Sequence, residues 1–94
     1  MPYIDEPQRT EIDGIVDPLI DLLNKTDSDE MCGRLNYAVS RVMWRLCGHD
    51  GHGVRRYGRM NAVAGAIESA KAEFQRRIVA PYEDEKIQSA GDIH

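Results

Sequence analysis

Apolar residues recur at helical spacing in three stretches of this 94-residue chain, and no stretch shows the two-residue alternation of a strand. The stretches cover residues 7–24, 28–47 and 54–80. A chain of this length holds one folding unit. We therefore expect one all-α domain over residues 1–94, with an N-terminal arm at 1–6 and a C-terminal tail at 81–94.

The first stretch is interrupted by two residues that weaken helices, Gly14 and Pro18. Asp17 and Pro18 together resemble a capping residue followed by proline at the first helical position. We expect either a kink at this point or two short helices.

The second stretch begins where Asp27 and Glu30 have capping-box spacing, and it ends before Gly48. Pro81 predicts the end of the third helix. We expect the second and third helices to form an antiparallel hairpin, with the kinked first helix packed across it. Apolar residues of the third helix lie 3, 4, 3, 4 and 4 positions apart, close to a heptad pattern: Met60, Val63, Ile67, Ala70, Phe74 and Ile78.

Charge is distributed unevenly along the chain, although the net charge is only −4. Residues 31–80 hold nine bases and three acids, and the segments on both sides are acidic. The basic middle either neutralises the acidic flanks or binds an anion. Duplex nucleic acid is not an expected ligand, because the whole domain is acidic. The acidic start lacks a signal-peptide pattern and no apolar run could span a membrane, so we expect a cytoplasmic protein.

Catalytic and metal-binding chemistry has little support in the sequence. Cys32 and Cys47 fall about 22 Å apart on one predicted helix, which is too far for a disulfide. Cys47, His49, Asp50 and His52 are possible metal ligands, but zinc sites usually combine separated ligand pairs. We expect no metal, no cofactor and no enzymatic activity.

Tyr37, Arg41 and Trp44 share the face of the second helix opposite its apolar stripe. Such a face suits stacking of a planar ligand with a phosphate on the arginine. It also suits a protein interface, where these residue types contribute most to affinity. A third possibility is that the first helix or a terminal arm covers the face.

Arginines gather at the start of the third helix, where Arg55, Arg56 and Arg59 surround Tyr57. Such a cluster at a helix N-terminus predicts an anionic partner, either a phosphate or the acidic first segment of the same chain. Asn36 or Asn61 could read base edges. The predicted ligand-binding residues are Asn36, Tyr37, Arg41, Trp44, Arg55, Arg56, Tyr57, Arg59 and Asn61.

Small residues form a strip on the third helix beside its apolar stripe, around Gly65, Glu68 and Ala72. A glycine inside a helix costs about 1 kcal/mol relative to alanine, so Gly65 suggests the close approach of another backbone or of a ligand. Gly65, Glu68 and Ala72 are the predicted oligomer interface. Alternatively, Gly65 is a neutral exposed glycine.

Sequence motifs at both ends carry a family resemblance. Met1-Pro2-Tyr3-Ile4, Leu35-Asn36-Tyr37, and the segment 80–87 (APYEDEKI) followed by Gly91-Asp92 resemble a family of short helical proteins found largely in phages and prophages, with no assigned function. The loop 49–53 is not part of that pattern. The chain is also similar to phage anti-CBASS sponges in its size and in the Ala, Glu and Lys content of residues 59–77. Those sponges are helical proteins that oligomerise and sequester cyclic oligonucleotide immune signals.

Three hypotheses follow. The similarity to the phage sponges implies a homo-oligomeric, immune-evasion protein that sequesters a cyclic oligonucleotide in the cytoplasm of an infected or lysogenic bacterial host. The first alternative is a protein-binding inhibitor or regulator of a host defence protein. The second is a structural accessory whose faces serve only homo-oligomerisation.

Overall fold

The computed structural model describes residues 4–48 and 56–93. These residues are helical with no strand, which confirms the all-α prediction. The chain divides into two compact units, Met1–Gly53 and Val54–His94. The predicted hairpin of the second and third helices joins elements of different units, and it stays a prediction.

The first unit begins with α1 (Glu6–Leu23), which is one continuous helix. The Asp5 side chain accepts a hydrogen bond from the backbone N–H of Gln8 at 3.0 Å, and the Gln8 side chain accepts one from the Asp5 N–H at 3.3 Å. This capping box stabilises the N-terminus of α1. Of the two predicted alternatives, two short helices are excluded, because Asp17 and Pro18 lie within α1, and the kink at this point stays a prediction.

The helix continues past Pro18 because apolar residues beyond it, including Leu19 and Leu23, lie beside the second helix. Pro18 removes one backbone donor, which leaves the carbonyl of Gly14 without its helical partner. Gly14 has no side chain, so its backbone adjusts at low steric cost. The contacts of Leu19 and Leu23 beside α2 and the small size of Gly14 both reduce the cost of continuing the helix through Pro18.

The second helix, α2 (Ser28–Leu46), matches the predicted stretch to within one residue. Asp27 caps its start by accepting a hydrogen bond from the Glu30 N–H at 2.9 Å. Gly48 follows its end with φ of +77°, a conformation that glycine adopts without strain. The Gly48 N–H donates to the carbonyl of Arg45, as in a helix C-cap.

The second unit holds one long helix of three consecutive parts, called here the long helix. It comprises α3 (Tyr57–Phe74), a π-helical segment (Gln75–Val79) and α4 (Ala80–Ala90). Its 34 residues span about 50 Å at 1.5 Å per residue. Gly91 ends it with φ of +92° and donates its N–H to Ile87.

The prediction that Pro81 ends the third helix is wrong, and the π-helical segment explains why. The Ala80 N–H donates to the carbonyl of Gln75, five residues earlier, rather than to residue 76. A wider turn relieves the clash between a proline ring and the carbonyls of the preceding turn. Pro81 then occupies the first turn of α4, where its missing N–H costs little.

Little of the described chain is buried. Cys47 and Gly48 are the only described residues in the buried class, and both cysteines are free. Val16 and Leu23 of α1, and Val39 and Met43 of α2, are half-buried. The apolar surface that a folded protein usually hides is therefore available for a ligand or a partner.

Candidate functional site

A groove of about 840 Å³ runs between α1 and α2 within the first unit. This volume lies in the range of small-molecule and cofactor sites. The α1 side is formed by leucines, whereas the α2 side combines apolar residues with Tyr37 and three arginines. The described residues that line the groove are Leu19, Leu22, Leu23, Gly33, Arg34, Tyr37, Ala38, Arg41, Val42, Arg45 and Leu46.

The arginines reach the groove because of their spacing on α2. Arg34, Arg41 and Arg45 lie seven and four residues apart, which places them on one face of a helix. Tyr37 lies between the first two on the same face. Residues 31–46 contain no acid, and the two carboxylates of α2, Asp29 and Glu30, lie in its first turn and do not line the groove.

The electrostatics of the groove follow from this composition. None of its described lining residues carries a carboxylate. In residues 4–48 and 56–93, Arg34 and Arg41 form no ion pair. Two arginines that pair with no carboxylate of the described residues, beside an apolar floor, favour a ligand with both anionic and planar or apolar parts.

The predicted face of α2 is only partly brought into this groove. Tyr37 and Arg41 line it, whereas Asn36 and Trp44 do not. The Asn36 Oδ1 accepts a hydrogen bond from the Ser40 hydroxyl at 3.3 Å on another side of the helix. The first helix borders the groove without covering this face, since Tyr37 and Trp44 are each about two-thirds exposed.

The remaining predicted ligand residues belong to the second unit. Arg56 is the N-cap of α3, and its side chain makes no capping hydrogen bond. Tyr57, Arg59 and Asn61 follow on the first turns and are exposed. Arg55 lies outside the described residues. A single site that combines these residues with Tyr37 and Arg41 stays a prediction.

The predicted interface strip on α3 is exposed at Gly65, Glu68 and Ala72. A Cβ added at Gly65 would have no heavy atom within 4 Å other than the neighbours of its own helix turn. No close approach by the described residues therefore accounts for this glycine, and the contact with a second copy at this strip stays a prediction.

Within the described residues, no three histidine, cysteine, aspartate or glutamate side chains are placed to hold a metal ion. His49, Asp50 and His52 lie outside those residues. None of the helices in residues 4–48 and 56–93 is long and apolar enough to cross a membrane.

Sequence reasoning missed Arg34 and Arg45 and the leucine wall of α1. The arginines had a detectable signal, because they continue the Tyr37–Arg41 row by one turn in each direction. The leucines had none, because the face that α1 presents to α2 depends on how the two helices pack.

A family model for a domain of unknown function, DUF6899, matches residues 1–93. The chain belongs to the DUF6899 family. This agrees with the predicted resemblance to an uncharacterised family of short helical proteins. No curated protein and no solved structure matches the chain.

Proposed function

We propose that this DUF6899 protein is a non-enzymatic, phage-type immune-evasion protein that sequesters an anionic nucleotide signal of the cyclic oligonucleotide class. The observation that carries the proposal is the α1–α2 groove, where Tyr37 lies between Arg34 and Arg41 and no carboxylate is present among the described lining residues. The similarity to phage sponges noted in the sequence supports the same class of ligand.

The chemistry of such a ligand fits the groove at two points. Its bases have planar faces that stack on an aromatic ring, and Tyr37 is exposed enough to be reached. Its phosphates match the paired N–H groups of a guanidinium, as Arg34 and Arg41 would provide. Sequestration needs no chemical step, so the absence of a catalytic motif in the sequence is compatible with this role.

Native mass spectrometry of the full chain with a mixture of cyclic di- and trinucleotides tests the proposal. We expect discrete nucleotide masses on the protein, and titration calorimetry then gives the dissociation constant of the retained ligand. Arg34→Ala combined with Arg41→Ala should raise that constant by at least about a hundredfold, since each charge-assisted pair contributes about 1.5–3 kcal/mol and two such pairs are lost. Binding should also weaken as salt is added.

Lys25→Ala is the matched control, because it removes one exposed positive charge from the same unit outside the groove. Circular dichroism verifies that each variant keeps its helices. A chain that gains no nucleotide mass, or a double arginine variant that binds as tightly as the wild type, excludes this ligand class for the groove.

A second candidate is binding of an acidic amphipathic helix from a host protein, as an inhibitor or regulator. The apolar floor favours it, because Leu19, Leu22 and Leu46 form continuous surface with Val42, which is more than half exposed. Helix-in-groove recognition uses such a floor together with charges at its rim. A synthetic amphipathic peptide of leucine and glutamate that binds in place of nucleotides, and is lost with Val42→Asp, would favour this candidate.

A further inference from the structure

Seven residues of the long helix form an apolar row that the second unit itself leaves without a partner. We call this row the seam: Met60, Val63, Ile67, Ala70, Phe74, Ile78 and Tyr82. Phe74, Ile78 and Tyr82 are each more than half exposed, and Met60 and Ile67 are also in the exposed class. A lone helix in water gains little stability from its own backbone, so such a row indicates packing against another helix.

The π-helical segment keeps the seam in one line. From Met60 to Phe74 the seam residues lie 3, 4, 3 and 4 positions apart, and both later steps are of 4. A π turn takes up one residue more than an α turn. The π turn lies at Gln75–Val79. The four residues from Phe74 to Ile78 therefore rotate around the helix axis about as far as three residues of an α-helix do. The heptad alternation of a helix-pairing surface then continues to Tyr82.

The two ends of the long helix carry charges of opposite sign. Its start carries Arg56 and Arg59, whereas its end carries three acids, at residues 83–85, and Lys86. Two copies side by side in the same direction would place like charges together at both ends. Two copies in opposite directions place the basic start beside the acidic end.

The seam has the same antiparallel symmetry. Ala70 is the central member, with three larger residues on each side. In an antiparallel pair centred on Ala70, Met60 meets Tyr82 of the second copy, and Ile67 meets Phe74 of the second copy. Alanine at the crossing point lets the two backbones approach closely. The Nζ of Lys86 lies 5.4 Å from the centre of the Tyr82 ring, within the distance of a cation–π contact.

We infer that the long helix pairs antiparallel with the long helix of a second copy of this chain, through the seam. This goes beyond the proposed function, since the pairing stands whether or not the α1–α2 groove binds a nucleotide. The interface is isologous, so it closes as a dimer. It also differs from the predicted strip, because Gly65 and Ala72 occupy the outer heptad positions opposite the seam.

Sedimentation equilibrium of the full chain over a range of concentrations tests the inference with two matched variants. Phe74→Glu adds a charge to the seam, and Ala72→Glu adds the same charge two residues away on the outer face. We expect Phe74→Glu to raise the dimer dissociation constant by about a hundredfold, because each dimer loses two phenylalanine contacts. Ala72→Glu should leave it within about threefold.

The direction of pairing is tested by charge reversal. Arg59→Glu alone and Glu83→Lys alone should each weaken the dimer, and the two changes in one chain should restore it. Circular dichroism at dilution confirms that the variants remain helical. A chain that stays monomeric at every concentration, a dimer that tolerates Phe74→Glu, or dissociation by Ala72→Glu would each overturn the inference. So would single charge reversals without effect.

Discussion

The two compact units differ in the shape of the surface on which their apolar residues lie. In the first unit, α1 and α2 lie side by side and form a concave groove with leucine on one wall and arginine on the other. In the second unit, a single long helix carries its apolar residues as a convex ridge. A groove is suited to a small ligand or one inserted helix, whereas a ridge is suited to pairing along its length.

This difference teaches how one short chain can combine two kinds of recognition. A chain of this length buries only a modest share of its surface on folding, so much apolar area stays accessible. Here the accessible area is divided between a groove whose described lining residues include arginines and no carboxylate, and a ridge with opposite charges at its two ends. We expect substitutions in the two units to affect different measurements.

The largest expected difference between the two units is in the unfolding free energy lost by Leu23→Ala in the first unit and by Phe74→Ala in the second. Leu23 is half-buried between α1 and α2, so its truncation should cost about 1–2 kcal/mol of unfolding free energy. Phe74 is more than half exposed, so its truncation should cost less than about 0.5 kcal/mol below the concentration at which the chain associates. Urea unfolding followed by circular dichroism measures both.

Two further outcomes sharpen this comparison. At high protein concentration the Phe74→Ala variant should become less stable than the wild type, because association adds to the stability of the folded state. Equal losses for both variants in dilute protein would mean that the ridge is packed as closely as the groove.

The π-helical segment gives a second way to separate stability from pairing. Pro81→Ala removes the ring that the π turn accommodates and lets the segment return to α-helical hydrogen bonding, so it should raise the free energy of unfolding by up to about 1 kcal/mol. If the π turn then relaxes to an α turn, Ile78 and Tyr82 rotate about 100° away from the seam. We therefore expect Pro81→Ala to weaken dimerisation, measured by sedimentation, while the melting temperature of dilute protein rises.

Much of the fold was predictable because its signals are local. The periodicity of apolar residues predicts an all-α chain, and Asp27 and Gly48 mark the ends of α2 almost to the residue. Pro18 and Pro81 misled the prediction because proline stops a helix only when nothing offsets its cost. Packing against α2 offsets it at Pro18, and a π turn offsets it at Pro81.

The candidate site was less predictable because a groove needs two helices in a particular arrangement. Helical spacing on α2 alone placed Tyr37 and Arg41 together, and both line the groove. The same reasoning grouped Trp44 with them, although Trp44 lies outside it, since helical spacing alone does not say how far the α1 wall extends. The angle between α1 and α2 depends on side-chain packing that no single helix encodes.

Capping provides a smaller test, confined to the first unit. Asp27 accepts one hydrogen bond at the start of α2, so Asp27→Ala should cost about 1 kcal/mol of unfolding free energy. Asp27→Asn keeps a capping oxygen and should recover most of that loss. Thermal melts of both variants make the measurement, with dimerisation unchanged in each. Weakened pairing in the alanine variant would show that the two units are energetically coupled.

The smallest expected effect concerns Glu73, whose carboxylate lies 3.0 Å from Nη2 of Arg76 and 3.0 Å from Nε of Arg77. The hydrogen bond from Arg76, and then the charges of both arginines, hold the pKa of Glu73 below its usual value, with partial burial opposing them. The folded chain therefore favours the ionised form more than the unfolded chain does. The resulting stability is present above the usual glutamate pKa and is lost as the pH falls through the lowered one.

Glu73→Gln should consequently lower the melting temperature slightly at neutral pH, and this loss should disappear as the pH falls through the lowered pKa of the wild-type carboxyl. The effect is small because exposed ion pairs are screened by water. Glu68→Gln is the control, since it removes the same charge from the same helix without breaking this pair of contacts. A loss in Glu73→Gln that persists in acid would mean that Glu73 contributes through packing rather than through its charge.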